Sequence, residues 1–271
     1  MTLAALLADI YKGTQKPCTT KSLRAYVNKF LEERVPDERR PGVHVTDLLD
    51  PCIRRVAWKI ARPDITDPPP EAAAARFFDQ GKATHKWWQN EIYGPAGLLY
   101  GDWQCTECRE HGTDTTIPSY KCAKSAANQC TGTWEFVEPE VNFEVDGVNV
   151  TGNADGKLLW EGALTLLEMK SMRTEEWSKL KMPLPKHVLQ GSIYAPILGV
   201  DKIWISCVGK DEWDTKDFLV PVMPGAREWA INIVRTAISV RDNPLKGARV
   251  CKNNTVVRAK RCALRNTCFP K

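Results

Sequence analysis

The chain has 271 residues, 43% hydrophobic and 26% charged. That is ordinary globular composition, long enough to remove roughly three-quarters of the unfolded surface from water. No stretch approaches the roughly 20 apolar residues that span a bilayer. Residues 1–10 lack a basic segment and carry Asp9, so they do not read as a secretory leader, and a cytoplasmic location is expected. The net charge of +5 is uneven: residues 227–271 hold eleven Lys/Arg against two Asp/Glu, leaving the remainder acidic. A basic end on an acidic body suggests contact with a polyanion, with a solvated tail as the alternative.

Residues 22–34 (SLRAYVNKFLEER) carry apolar positions at helical spacing, with Ser22 able to cap. Thr46 opens a second helical segment, TDLLDPCIRRVAWK, containing Cys52. DITDPPP at 64–70 breaks structure and reads as a linker. A helix over 71–93 follows, with Gly81 and His85 on it. Residues 101–135 are rich in Cys, Gly and Thr and read as an insert. VNFEV (141–145), VNVTGNADGKLLW (148–160) and LTLLEMK (164–170) read as consecutive strands of a sheet. A helix is expected over 186–198, strands over 202–208 and 217–222, and a helix from Pro224 to Asp242. This order predicts an α/β sandwich with a mixed sheet flanked by helices. The expected organisation is a helical region over 1–70 carrying Cys52, a core over 71–242 interrupted by the 101–135 insert, and a basic cysteine-containing region over 243–271.

Asp155 follows a Gly-Asn-Ala turn; Glu168 lies thirteen residues on, and Lys170 two beyond that. In a strand, i and i+2 share a face, so Glu168 and Lys170 project together while Met169 points into the core. Two strands joined through KLLWEGAL would set Asp155 beside Glu168. Paired carboxylates want a hard cation, Mg²⁺ or Mn²⁺. Such an ion activates water and stabilises charge on a phosphate, and a nearby ammonium can position that water, a combination suited to phosphodiester cleavage. The bland alternative is a solvated Glu-x-Lys pair on a strand.

The run TGNADGKLLWEGALTLLEMKS resembles the GxxD…ExK core of the PD-(D/E)XK nuclease superfamily, whose fold is restriction-endonuclease-like. Upstream, RFFDQGKATHKWWQ is similar to the helix by which RecB-type nucleases supply a histidine, here His85. Downstream, Gln190 and Tyr194 match their QxxxY motif, one turn apart on a helix. The resemblance covers residues 76–208. It implies that His85, Asp155, Glu168 and the Met169 carbonyl hold the metal. It further implies that Lys170 orients the nucleophilic water and that Gln190 and Tyr194 support Lys170 or the DNA. Glu140 is a weaker candidate, better read as a surface residue.

Ten cysteines is a high count where disulfides are rare, and clustered cysteines then suggest metal. Cys105, Cys108, Cys122 and Cys130 offer four thiolates within a short span, suited to a structural Zn²⁺ in a zinc-ribbon-like insert; His111 in place of one cysteine is an alternative. Cys251, Cys262 and Cys268 form a second group. With Cys52 they are similar to the one-before, three-after arrangement of the AddB-type and CRISPR-associated exonucleases, which implies a 4Fe–4S cluster stapling the N-terminal region to the C-terminus. The ten-residue gap after Cys251 departs from that pattern, and a second zinc site or unliganded thiols stay open. Cys18 and Cys207 have no partner group.

The resulting expectation is a metal-dependent DNA nuclease. It would be an exonuclease on single-stranded or end-containing DNA, acting in recombination, repair or phage DNA processing, with a recombination or replication protein as a further partner. Trp87 and Trp88 beside His85 would stack unpaired bases. The alternatives are a restriction-type endonuclease and a metal-stapled DNA-binding protein without catalysis.

Overall fold

The structure, a computed structural model, describes residues 23–33, 42–64, 67–68, 70–118 and 130–270. Helix α1 (Leu23–Glu33) forms where expected; its proposed cap Ser22 lies outside the described residues. A two-residue strand β1 (Val43–His44) leads into a single turn α2 (Val45–Leu48), where the backbone N–H of His44 donates to Asp47 at 3.0 Å. The single helix expected from Thr46 is instead two. Helix α3 (Ile53–Ala61) starts afresh after Asp50-Pro51-Cys52, because Pro51 has no N–H and disfavours helical geometry in the residue before it. Helix α4 (Ala72–Trp87) runs on into a π-helical turn over Trp88–Tyr93.

Next come β2 (Leu99–Cys105), β3 (His111–Thr115), β4 (Trp134–Val137), β5 (Glu140–Val145), β6 (Val148–Asn153), β7 (Gly156–Trp160) and β8 (Ala163–Met172). Helices α5 (Thr174–Ser178) and α6 (Pro185–Tyr194) cross over to β9 (Lys202–Gly209), which turns back into β10 (Thr215–Pro221). Helix α7 (Ala226–Ile238) is followed by two four-residue helices, α8 (Val257–Lys260) and α9 (Arg265–Cys268).

The strands do not form one consecutive sheet. β1, β6 and β5 make a three-stranded sheet. The large sheet runs β10-β9-β8-β7-β2-β3, with β4 also paired to β2. Its β8–β9 pair is parallel and the rest antiparallel, so it is mixed. The chain therefore leaves one sheet and enters the other between Asn153 and Gly156, and Asp155 sits at that crossing. One apolar core, including Leu48, Val150, Ile193, Ile205 and Val234, lies under α2, α3, α6 and α7. A second, including Leu99, Trp103, Leu167, Met169 and Val208, lies under the π turn on the other face. Burying each large side chain contributes about 1.5–3 kcal/mol, which fixes the central strands from both sides. The protein is thus a mixed α/β fold with a mixed sheet flanked by helices. Among the described residues no helix is long and apolar enough to cross a membrane.

Candidate active site

Strand pairing brings the acidic residues together. In the antiparallel β7–β8 ladder Gly156 pairs with Leu167, which sets Asp155 beside Glu168. Gly156 is obligatory there: its φ is +147°, and a Cβ would come within 2.7 Å of Leu99. Asp155 Oδ2 accepts the Met169 N–H at 2.6 Å, and Oδ1 lies 3.2 Å from Nδ1 of His85 on α4. Gln89, one turn beyond His85, donates to the Asp155 carbonyl at 2.8 Å and to Glu138 at 3.1 Å. Glu168 and Lys170 share one face of β8 and form an ion pair, while Met169 points to the opposite core. Glu168 is fully buried; its Oε1 is paired with the Lys170 ammonium, and its Oε2 has no hydrogen-bonding partner.

Helix α6 covers this face. Gln190 and Tyr194 are both buried, one turn apart, and the Tyr194 ring lies against Gly152, where a Cβ would sit 2.6 Å from its hydroxyl. They meet the site at Tyr194, which feels the charges of Glu168 and Asp155. Glu140 is exposed and its carboxylate accepts from Asn142 at 3.5 Å.

Burial and charge push the two carboxylates apart. Burial alone would raise Asp155; the charge and hydrogen bond of His85, then Lys170 and the Met169 N–H, lower it below the usual range. Burial pushes Glu168 up to about 7, with the Asp155 charge adding to it and Lys170 partly offsetting it. Burial would lower both His85 and Lys170, but their carboxylate partners win and raise them, so Lys170 stays an ammonium. Neighbouring carboxylates with divergent proton affinities suit a divalent cation or acid–base work. The cleft beside His85 and Asp155, of about 780 Å³ between α4 and the β2–β4 strands, has Lys82, Lys86 and Lys157 on its walls together with more numerous carboxylates.

Two further residues join the site that sequence reasoning passed over. Glu138 precedes the strand on which Glu140 was weighed and reaches inward to Gln89, so no alternation pattern marks it. His187 is buried on α6, three residues before Gln190 and seven before Tyr194, a helical spacing that could have marked it. Trp88 packs into the second core against Tyr93, whereas Trp87 is exposed and meets Trp213 edge-on at 5.1 Å.

The cysteines fall into two places. The ligand atoms of Cys105, Cys108 and Cys130 all lie within 4.8 Å of one another, and Cys105 and Cys130 sulfurs are 3.5 Å apart. Sulfurs about 2.3 Å from a zinc ion stand roughly 3.8 Å apart in a tetrahedron, so the group could hold a metal such as zinc. Backbone N–H groups of Cys108 and Glu107 bring the Cys105 thiol down to about 6, favouring the thiolate. Cys122 lies outside the described residues. His111 is exposed, 2.9 Å from Gln104, and stands outside the group.

Cys52, Cys251, Cys262 and Cys268 line one pocket with Ala259, Leu264 and Phe269. Polar contacts hold its walls together. Arg54 donates to the Gly247 carbonyl at 2.8 Å, Arg258 pairs with Asp50, and the Ala263 N–H donates to Asp67 at 3.2 Å. Arg249 stacks over Phe269 at 4.6 Å. Cys251 thus joins the others despite its sequence gap. Cys207 is buried beside Lys170 in the β8–β9 register, its thiol pushed up to about 11 by burial, and Cys18 lies outside the described residues.

No family model matches the chain, and no curated protein matches it. Among solved structures 17 chains are similar. One is the crystal structure of SSO0001, at 15% identity and a TM-score of 0.48, covering 91% of this chain and 95% of that one.

Proposed function

We propose that the protein is a metal-dependent DNA nuclease of the PD-(D/E)XK type, with Asp155, Glu168 and Lys170 at its centre. The observation that carries this reading is an incompletely satisfied carboxylate: Glu168 is fully buried, only one of its oxygens is paired, to Lys170, and the other has no partner, beside a second buried carboxylate. Leaving such a group unsatisfied is costly, and a hard cation held by Asp155, Glu168 and His85 would satisfy it. Bound there, Mg²⁺ or Mn²⁺ would supply an activated water and charge stabilisation at a phosphate. Lys170 orients the attacking water, the Met169 N–H and His85 fix the Asp155 carboxylate, and Gln89 ties the Asp155 main chain to Glu138.

A DNA substrate is supported by the excess positive charge of residues 227–271, and the excess of carboxylates in the cleft explains why cations must enter with a polyanion. An exonuclease on single strands or ends rests on the sequence resemblance. The four-cysteine pocket is proposed as a 4Fe–4S site. Its thiols do not crowd together as the mid-chain group does among the described residues, its donors are all soft, and its other walls include Ala259, Leu264 and Phe269.

The test uses protein purified anaerobically with end-labelled single-stranded, double-stranded and closed circular DNA, in Mg²⁺, Mn²⁺ or EDTA. Metal-dependent shortening of linear DNA, reduced about 10²- to 10³-fold in Lys170→Ala, is expected. Discrete fragments from closed circles would favour an endonuclease. Binding without cleavage in either metal, by protein that retains its iron and zinc, would overturn the nuclease reading.

A further inference from the structure

His187 is an anomaly in the covering helix. It is 6% exposed, and its Nδ1 is buried with no hydrogen-bond partner. Leaving a buried nitrogen unsatisfied is costly. The helix places it on the stripe that carries Gln190 and Tyr194, the two residues that close over the Glu168–Lys170 face. Because β8 and β9 are parallel, α6 runs back against β8. Its first turn therefore meets the Lys170 end of the strand, and its last turn meets Glu168. His187 accordingly feels the Lys170 charge, whereas Tyr194 feels that of Glu168.

Lys170 has three N–H donors and one charged partner, Glu168. On the nuclease reading a cation takes the Glu168 oxygens, and the ammonium then needs another acceptor to hold its direction. We infer that His187 is a positioning residue whose neutral imidazole accepts from the Lys170 ammonium, directly or through one water, and aims it at the nucleophilic water. A carboxylate at this place would compete with Glu168 for Lys170; a cation would repel it. The imidazole is held neutral by burial and the Lys170 charge, which push its pKa down to about 3.

This inference rests on the nuclease reading for its consequence, but not for its first readout. In ¹⁵N-histidine-labelled protein, the His187 Nδ1 resonance should move in Lys170→Ala. An unmoved resonance would overturn the contact whether or not the protein cuts DNA. In the cleavage assay, His187→Phe keeps a planar ring without a nitrogen, and kcat should fall at least tenfold with KM and calorimetric Mn²⁺ affinity unchanged. His187→Gln, which restores an acceptor, should recover most of that loss. Wild-type kcat in His187→Phe would overturn the positioning role. So would a loss in His187→Gln as deep as in His187→Phe with a matching drop in melting temperature, since that marks packing alone. A wild type that never cleaves DNA, with the resonance shift intact, would sink the nuclease reading and leave the contact standing.

Discussion

The carboxylate centre and the four-cysteine pocket both gather residues distant in sequence, but by opposite means. Asp155, Glu168 and Lys170 hang from paired strands, and the ladder positions them before any ligand arrives: Gly156 against Leu167, the Met169 N–H on Asp155. Cys251 lies in a loop, Cys262 and Cys268 belong to or follow helices of four residues, and Cys52 precedes α3. A single helical turn has no stability of its own, because nucleation costs more than one turn returns. On the proposed reading the sheet makes a site that is formed before its ligand arrives, while the cysteine pocket, held by a few polar contacts, would gain much of its stability from its ligand. The first holds a buried carboxylate, Glu168, with one oxygen unpartnered; the second, on the proposed reading, would depend on cross-linking.

The largest contrast should come from removing a ligand at the chain ends. Cys262→Ser should lower the melting temperature by about 6–12 °C, equivalent to roughly 3 kcal/mol for a chain of this size, and bleach any visible iron–sulfur absorbance. Cleavage per folded molecule should stay near wild type, the reverse of Lys170→Ala. Differential scanning calorimetry and a single-turnover assay on the same preparation read both quantities. An unchanged melting temperature would erase the distinction between the two sites.

Much of the first region was legible in the sequence because its chemistry is local to one hairpin: thirteen residues separate Asp155 from Glu168, and strand alternation assigns Lys170 its face. Cofacial Gln190 and Tyr194 followed from helical spacing. What escaped was set by long-range packing. The sheet switch at Asp155 was not legible: the Gly-Asn-Ala segment before it reads as a turn, but which partners the strands on either side take is set by long-range pairing. The break at Pro51 was visible as a proline, yet the apolar spacing on either side reads as one helix. Glu138 lies outside any strand and reaches inward to Gln89, which donates to it from the π-helical turn after α4. The pocket uniting Cys251 with Cys52 depends on the docking of residues 247–268 onto α3, through contacts such as Arg54 with Gly247. The resemblance groups these four cysteines, with the ten-residue gap leaving Cys251 in doubt, and the structure sets all four around one pocket.

A second, intermediate contrast is in pH dependence without metal. Glu168 keeps its proton up to about 7 in the folded state against a reference of 4.5, so stability should fall as pH rises through that window. His85, raised above 6.5, contributes stability that is full below that value and lost as pH rises through its folded value, so it acts in the same direction. Asp155, lowered below 3.8, loses its contribution only on acidification through its folded value. In EDTA the melting temperature should decline from pH 5 to pH 8. Glu168→Gln should flatten the slope, and Mg²⁺ or Mn²⁺, which bind the deprotonated ligands, should flatten or reverse it. A wild-type slope equal to that of Glu168→Gln would show that the carboxylate centre is not poised as described.

The smallest effect concerns the rim rather than either site. Trp87 is 42% exposed and Trp213 50%, their rings edge-to-face, at the end of the helix that bears His85. Trp88, by contrast, is half-buried against the second core, so of this adjacent pair Trp87 is the one exposed to receive a base. Stacking an unpaired base on an aromatic ring contributes about 1–3 kcal/mol. If single-stranded DNA passes along α4 to the carboxylates, Trp87→Ala should weaken binding of a single strand at least fivefold while leaving blunt duplex binding and the melting temperature unchanged. Fluorescence anisotropy with both substrates reads the difference. Equal weakening for both would place Trp87 in general packing of the rim. No weakening for either would direct the strand away from α4, toward the opposite wall of the cleft formed by β2 and β4.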